Sequence, residues 1–141
     1  MPAPVIIKKP TGNHAPVVFD SPHSGTHYPD DFDYVIPLTR LQWAEDPHID
    51  EIFAAAPESG ATLITATFPR TYIDPNRAAT DIDPDQVAGD WPGFEDVSHR
   101  AKAGVGLIRT ASGRDKTPIY ERKLTVAEVE ARIDAYWTPY H

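Results

Sequence analysis

The stretch Val17-Val18-Phe19-Asp20-Ser21-Pro22-His23-Ser24-Gly25 decides how the rest of the chain is read. Its first three residues are β-branched or aromatic and uninterrupted, which predicts a short buried strand, and Asp20-Ser21-Pro22 closes it in a loop. That loop carries His23. Loops at the ends of strands in open α/β sheets are where reactive groups collect, and a neutral imidazole there is a good zinc ligand. On its own, His23 reads equally well as a turn residue satisfied by local hydrogen bonds.

Upstream, residues 1–15 are rich in proline and polar groups and predict a leader strand or an ordered arm. Downstream, Asp46-Pro47 pairs an N-cap residue with the helical position that favours proline, so a helix is expected to start there. Ile49, Ile52, Phe53 and Ala56 give it one apolar stripe, and Pro57 and Gly60 end it. A second strand is expected over 61–66 and a third short extended piece over 71–74. Residues 78–104, dominated by Asp, Pro, Gly and Ala, predict a long surface excursion with little regular structure. Extended segments follow over 105–109 and 118–120, with a turn at Ser112-Gly113. Thr125-Val126-Ala127-Glu128 is a capping box that starts a carboxy-terminal helix with the stripe Val126, Val129, Ile133 and Trp137. Alternating strands and helices favour an α/β fold, a mixed sheet flanked by helices.

The chain has 141 residues, of which 40% are apolar and 10% aromatic, enough to fold as a single domain over 1–141. Its net charge of -8 repels phosphate backbones and anionic lipid, which argues against nucleic acid and membrane partners. Cysteine is absent, removing disulfides, thiolate metal sites and cysteine nucleophiles together. The amino terminus lacks the pattern of a signal peptide and no stretch approaches a membrane span, so a cytoplasmic location is expected.

Two further clusters are candidates for chemistry. Glu45-Asp46 offers a carboxylate as a second metal ligand, although an aspartate before proline is commonly just a cap; His48 is a weaker candidate. Arg70, Asn76 and Arg77 combine planar guanidinium forks with an amide donor, a set suited to an acidic small molecule. The competing reading of these arginines is ion pairing with Asp74, Asp81 or Asp83. Ser24 as a nucleophile lacks a flanking base.

Several segments, in order, resemble the N-formylglutamate amidohydrolase family: Ser21-Pro22-His23-Ser24-Gly25 with Tyr28-Pro29, Asp46-Pro47-His48-Ile49-Asp50, Gly60-Ala61-Thr62, and Arg70-Thr71-Tyr72-Ile73-Asp74-Pro75-Asn76-Arg77. Gly106-Leu107-Ile108, Ile119-Tyr120 and Tyr136-Trp137-Thr138-Pro139-Tyr140-His141 continue the series. The His-Ser-Gly and Asp-x-Asn-Arg pieces are the specific ones.

The resemblance implies a phosphorylase/hydrolase-like fold, shared with zinc-dependent exopeptidases. It also implies hydrolysis of N-formylglutamate to glutamate and formate in histidine degradation, with other N-acyl amino acids as possible substrates. In that case His23 is a zinc ligand and Asp46, or alternatively Glu45, a carboxylate ligand. Asn76 and Arg77 bind a substrate carboxylate, and Arg70 polarises the scissile carbonyl or binds the other carboxylate.

The family pattern also includes a second His-Ser motif and a downstream acidic base, and neither is in this chain. A catalytic zinc site usually has three protein ligands, and His14, His27, His99 and His141 lack the context to supply the third. The expectation is therefore an amino-terminal half, truncated at its carboxy end and weakly active or inactive alone. Self-association, or pairing of an unfinished sheet edge with the missing half, is expected with it. The alternatives are a non-catalytic module that binds acidic metabolites, and an interaction domain.

Overall fold

The computed structural model describes residues 2–92 and 97–141. Its main sheet has three strands, β1 (Val5–Lys8), β2 (Val18–Ser21) and β3 (Thr62–Ala66), in the order β1-β3-β2. β3 runs antiparallel to β1 and parallel to β2, so the sheet is mixed as expected. Leu63 and Ala66 of β3 are buried, as suits a central strand paired on both sides. The proline-rich start of the chain supplies β1 itself. β2 is less buried than its sequence suggests, with Val17 and Val18 45% and 60% exposed on the outer edge.

Two short helices follow β2, α1 (Leu38–Gln42) and α2 (Ile49–Ile52). The expected helix from Asp46-Pro47 to Pro57 is a correction: α2 is one turn long and starts after His48, which sits in the left-handed region at φ 67. Asp46 does not cap it. Its backbone N–H donates to the His23 carbonyl at 3.2 Å and its carboxylate turns to the His23 ring, so tertiary contacts displace the local cap. After α2 the chain runs through successive turns to Gly60 and leaves Ile52 68% exposed. Phe53 stacks on Phe19, ring centroids 4.8 Å apart.

The extended piece expected at 71–74 is a pair of turns. Tyr72 N–H donates to the Pro69 carbonyl, and Arg77 N–H donates to the Asp74 carbonyl. Prolines 69 and 75 favour those bends, and Thr71, Tyr72, Ile73 and Asp74 are all buried, a pattern incompatible with the alternation of a half-buried strand. The 78–104 excursion holds more regular structure than expected: a 3₁₀ turn at Pro84–Gln86, β4 (Val87–Ala88), and α3 (His99–Lys102) capped by Ser98. Residues 93–96 of that stretch lie outside the described residues. Over 105–109 there is an isolated antiparallel bridge between Val105 and Arg109 in place of a strand.

β5 (Ala111–Ser112) and β6 (Thr117–Pro118) form a small hairpin whose turn begins at Gly113, and β7 (Leu124–Thr125) pairs in parallel with β4. The capping box forms as read: Thr125 Oγ1 accepts from Glu128 N–H, and the Glu128 carboxylate accepts from Thr125 N–H at 2.7 Å. Helix α4 (Val126–Arg132) leads into a π-helical turn (Ile133–Trp137) and then α5 (Thr138–Tyr140). Val129, Arg132 and Tyr136, spaced three and four apart, are the buried face of this run.

That face packs on the core of Phe32, Phe68, Tyr72, Ile73, Leu107 and Ile119. Arg132, which the apolar stripe omits, is boxed by aromatics. Its guanidinium lies 3.9 Å from the centroid of the Tyr72 ring and donates to the Tyr72 carbonyl at 3.1 Å and the Tyr120 hydroxyl at 2.9 Å. Among the described residues no helix is long and apolar enough to cross a membrane.

Candidate functional site

β2 delivers the chain into the His23 loop, and a glycine allows the loop to lie flat against the sheet. A Cβ on Gly25 would stand 2.6 Å from the Phe68 nitrogen and 2.5 Å from the Thr67 carbonyl carbon, both rigid backbone. Next to it, His27 N–H donates to the Thr67 carbonyl at 2.9 Å. Gly25→Ala is therefore expected to cost about 2 kcal/mol through overpacking. Urea unfolding checks this, and an unchanged midpoint would show that the loop can lift off the sheet.

The loop buries His23 to 8% exposure. Its Nε2 meets Asp74 Oδ1 at 2.9 Å and its Nδ1 meets Asp46 Oδ2 at 3.0 Å. Asp74, fully buried, also accepts from Arg70 Nε at 3.2 Å, Arg70 NH2 at 2.7 Å and the Asn76 N–H at 3.0 Å. Burial alone would raise the Asp74 carboxyl, but the hydrogen bond from His23 and the charge and bonds of Arg70 outweigh it and lower it to about 2. An anionic Asp74 fixes the hydrogen of His23 on Nε2 and leaves Nδ1 facing Asp46.

This arrangement suits a cation on the Nδ1 side. Two donors on a tetrahedral zinc stand about 3.3 Å apart when each lies at 2.0–2.1 Å, close to the 3.0 Å between Nδ1 and Asp46 Oδ2. The Asp74 carboxylate on the far ring nitrogen is the support that metal-binding histidines ordinarily have. An open cleft of about 270 Å³ adjoins the pair, lined by Asp20, Ser21, Pro22, His23, Asp46 and Ile49. Among the described residues, however, no group of three His, Cys, Asp or Glu side chains converges to hold a metal.

The other candidates separate clearly. Glu45 is engaged by other side chains: Tyr28 donates to both its carboxylate oxygens at 2.8 and 2.7 Å, and Thr71 donates at 3.0 Å. Burial raises its carboxyl, with those bonds opposing the rise. The His48 side chain bonds to Glu51 on the surface. The Ser24 hydroxyl lies 2.7 Å from that of Ser21 and is hydrogen-bonded to no basic side chain among the described residues. His141 donates to the Pro75 carbonyl at 3.0 Å, far in role from a metal ligand.

Arg70 does pair with Asp74, as one sequence reading anticipated, and at the same time reaches Asp46 Oδ2 at 3.4 Å. Asn76 and Arg77 ride on the turn that Asp74 closes. Asp74 accepts the Asn76 N–H through its side chain and the Arg77 N–H through its carbonyl, the behaviour that favours aspartate at the first position of a turn. Trp137 Nε1 donates to the Arg77 carbonyl at 2.8 Å, so the carboxy-terminal helical run braces the same turn. Arg77 has no carboxylate partner among the described residues, and its Nε is buried without a hydrogen bond.

Sequence reasoning missed two groups. Asp74 was read only as a competitor for Arg70, although it organises both clusters. Arg109 closes an apolar run read as a strand; a charge ending such a run was the available signal. Burial and the like charges of Arg70 and Arg77, against the pull of Asp74, lower Arg109 to about 10.

A family model described as N-formylglutamate amidohydrolase matches residues 15–141. Among solved structures, the crystal structure of N-formylglutamate amidohydrolase from Ralstonia eutropha JMP134 is 50% identical and superposes with a TM-score of 0.93, over 99% of this chain and 49% of that one. The present chain thus spans about half the length of that enzyme. No curated protein matches it. With the ordered motifs and the geometry around His23, these likenesses lead to one statement: the chain belongs to the N-formylglutamate amidohydrolase family.

Proposed function

We propose that this chain supplies the metal-facing and substrate-anchoring half of a zinc-dependent amidohydrolase that cleaves N-formylglutamate, or a related N-acyl amino acid, to the free amino acid and its carboxylate. The observation that carries the proposal is the Asp74 carboxylate, which joins a two-donor metal face to a carboxylate clamp. His23 Nδ1 and Asp46 would hold the zinc, completed by a donor outside these 141 residues. The chemistry a bound zinc supplies is polarisation of the formyl carbonyl and acidification of a water.

The chain's own residues do the remainder. Asp74 keeps the His23 ring oriented and its Nε2 protonated. Arg70, held in place by Asp74, presents positive charge where the carbonyl oxygen becomes anionic. Asn76 and Arg77 anchor the α-carboxylate of the substrate, so that its amide is delivered to the cleft beside His23.

The fold that fits this role is the phosphorylase/hydrolase-like arrangement, of which the sheet here is one portion. We place pairing with the remaining half at the exposed outer edge of β2. A size measurement that finds self-paired copies instead would redirect that edge to a homodimer.

The test is calorimetric titration of zinc into the chain and its His23→Ala variant, followed by a formate-release assay with the carboxy-terminal half supplied. Zinc binding that His23→Ala weakens more than roughly tenfold is expected, with formate release that a chelator stops. For Arg77→Ala the expectation is a large rise in KM for N-formylglutamate and a smaller effect on a neutral formamide; equal losses on both substrates would remove Arg77 from the clamp. Ligand binding untouched by chelation, without turnover, would point to a non-catalytic module.

A further inference from the structure

Among the described residues, the other arginine side chains are either exposed, as Arg100 and Arg114 are, or have at least one hydrogen-bond or ion-pair partner, Arg77 through the Asn76 carbonyl. Arg70 is shared by Asp46 and Asp74, Arg122 by Glu128 and Asp33, Arg40 pairs with Asp115, and Arg132 is held by Tyr72 and Tyr120. Arg109 differs. It makes no side-chain hydrogen bond or ion pair among the described residues, and its Nε is buried without a partner. A half-buried guanidinium with an orphaned Nε is costly, and this chain has 21 acidic residues against 13 basic ones from which a partner might have come.

Its position is fixed by the backbone. Val105 and Arg109 form a bridge, and between them Leu107 accepts from the Asp74 N–H and donates to the Asp81 carbonyl, both at 2.8 Å. The loop is therefore bonded to the turn that carries Asn76 and Arg77. Gly106 packs it tightly, since a Cβ there would stand 2.9 Å from the Ala101 Cα. The backbone that carries Arg109 cannot move away without breaking that packing. Arg70 spends its charge on two carboxylates, whereas Arg77 and Arg109 meet none among the described residues. Two cations in one neighbourhood that form no close ion pair among the described residues match a ligand with two negative charges.

We propose that Arg109 is a specificity-determining residue that receives the second, side-chain carboxylate of a dicarboxylic N-acyl amino acid, while Asn76 and Arg77 take the first. The assignment rests on the carboxylate-clamp reading given above and extends it to the side chain of the substrate. It assigns Arg109 a task distinct from that of Arg70, which faces the metal side.

The experiment is calorimetric titration of the chain with N-formylglutamate and with N-formylnorvaline, which has a similar side chain but no second carboxylate. Wild type is expected to prefer the dicarboxylate. Arg109→Gln should weaken N-formylglutamate by at least about tenfold and leave N-formylnorvaline unchanged, and Arg109→Lys should retain part of the preference. Arg77→Gln should weaken both ligands. Since Arg109→Gln removes a half-buried cation that forms no ion pair among the described residues, its melting temperature should rise.

If Arg77→Gln weakens both ligands while Arg109→Gln leaves the preference intact, the Arg109 assignment alone is overturned. If neither ligand binds wild type, or Arg77→Gln changes nothing, the clamp reading fails and the assignment fails with it. An Arg109→Gln chain that no longer folds would make Arg109 a structural residue and also overturn the proposal.

Discussion

Asp74→Ala is expected to destabilise the fold by about 3–5 kcal/mol, the range for breaking a buried charge network by removing one partner. The loss has identifiable parts. The variant leaves His23 Nε2, two nitrogens of Arg70 and the Asn76 N–H without their acceptor in a place where no water replaces it easily. Urea unfolding monitored by circular dichroism reads the change. Asp74→Asn keeps the volume and can still accept from His23 and Asn76, but it turns an amide or a neutral oxygen toward Arg70; its cost should fall between wild type and alanine. A destabilisation below about 1 kcal/mol for the alanine variant would mean that the network is not closed as described. Zinc affinity should fall by roughly 10–100-fold in Asp74→Asn, because the support behind the His23 ring is weakened while the donors remain.

Arg132→Ala should cost about 3–4 kcal/mol, from the cavity it opens, the loss of the ring contact with Tyr72, and the unpaired Tyr72 carbonyl and Tyr120 hydroxyl. Arg132→Met fills most of the space and should recover about half of that loss. The same unfolding measurement decides it, and a methionine variant as stable as wild type would show that packing alone, without the charge, sustains the aromatic box. Arg132 and Arg109 thus carry opposite expectations. One is a buried guanidinium whose donors are used, so removal destabilises; the other has an orphaned donor, so removal stabilises.

What the sequence made legible was what local chemistry controls. The strand before the His23 loop and the Thr125–Glu128 capping box depend on residues within a few positions of one another; the capping box formed as read, and the strand formed one residue later, over Val18–Ser21, and less buried than expected. Arg70, Asn76 and Arg77, the residues of the proposed clamp, stood out in the sequence because their side chains have distinctive donor geometry. Asp46 misled because its cap signature is genuine locally, yet a histidine 23 positions upstream competes for the same carboxylate and wins. The stretch 71–74 misled for the opposite reason: its β-branched and aromatic residues are buried on every side, and the prolines around them bend the chain. Arg109 and Arg132 could not be placed by periodicity, since each owes its environment to segments distant in sequence.

The turn closed by Asp74 also sets a length. One oxygen of its carboxylate holds both the His23 ring and the Asn76 N–H, so the proposed metal donors and the proposed carboxylate anchor are separated by a single rigid connection. Nothing in that connection can stretch: Leu107 bonds it from one side and Trp137 from the other. In the proposed site the gap between anchored carboxylate and scissile amide is a ruler cut for α-amino acids. An N-formyl β-amino acid, one methylene longer across that gap, would have to give up either its anchor or its alignment.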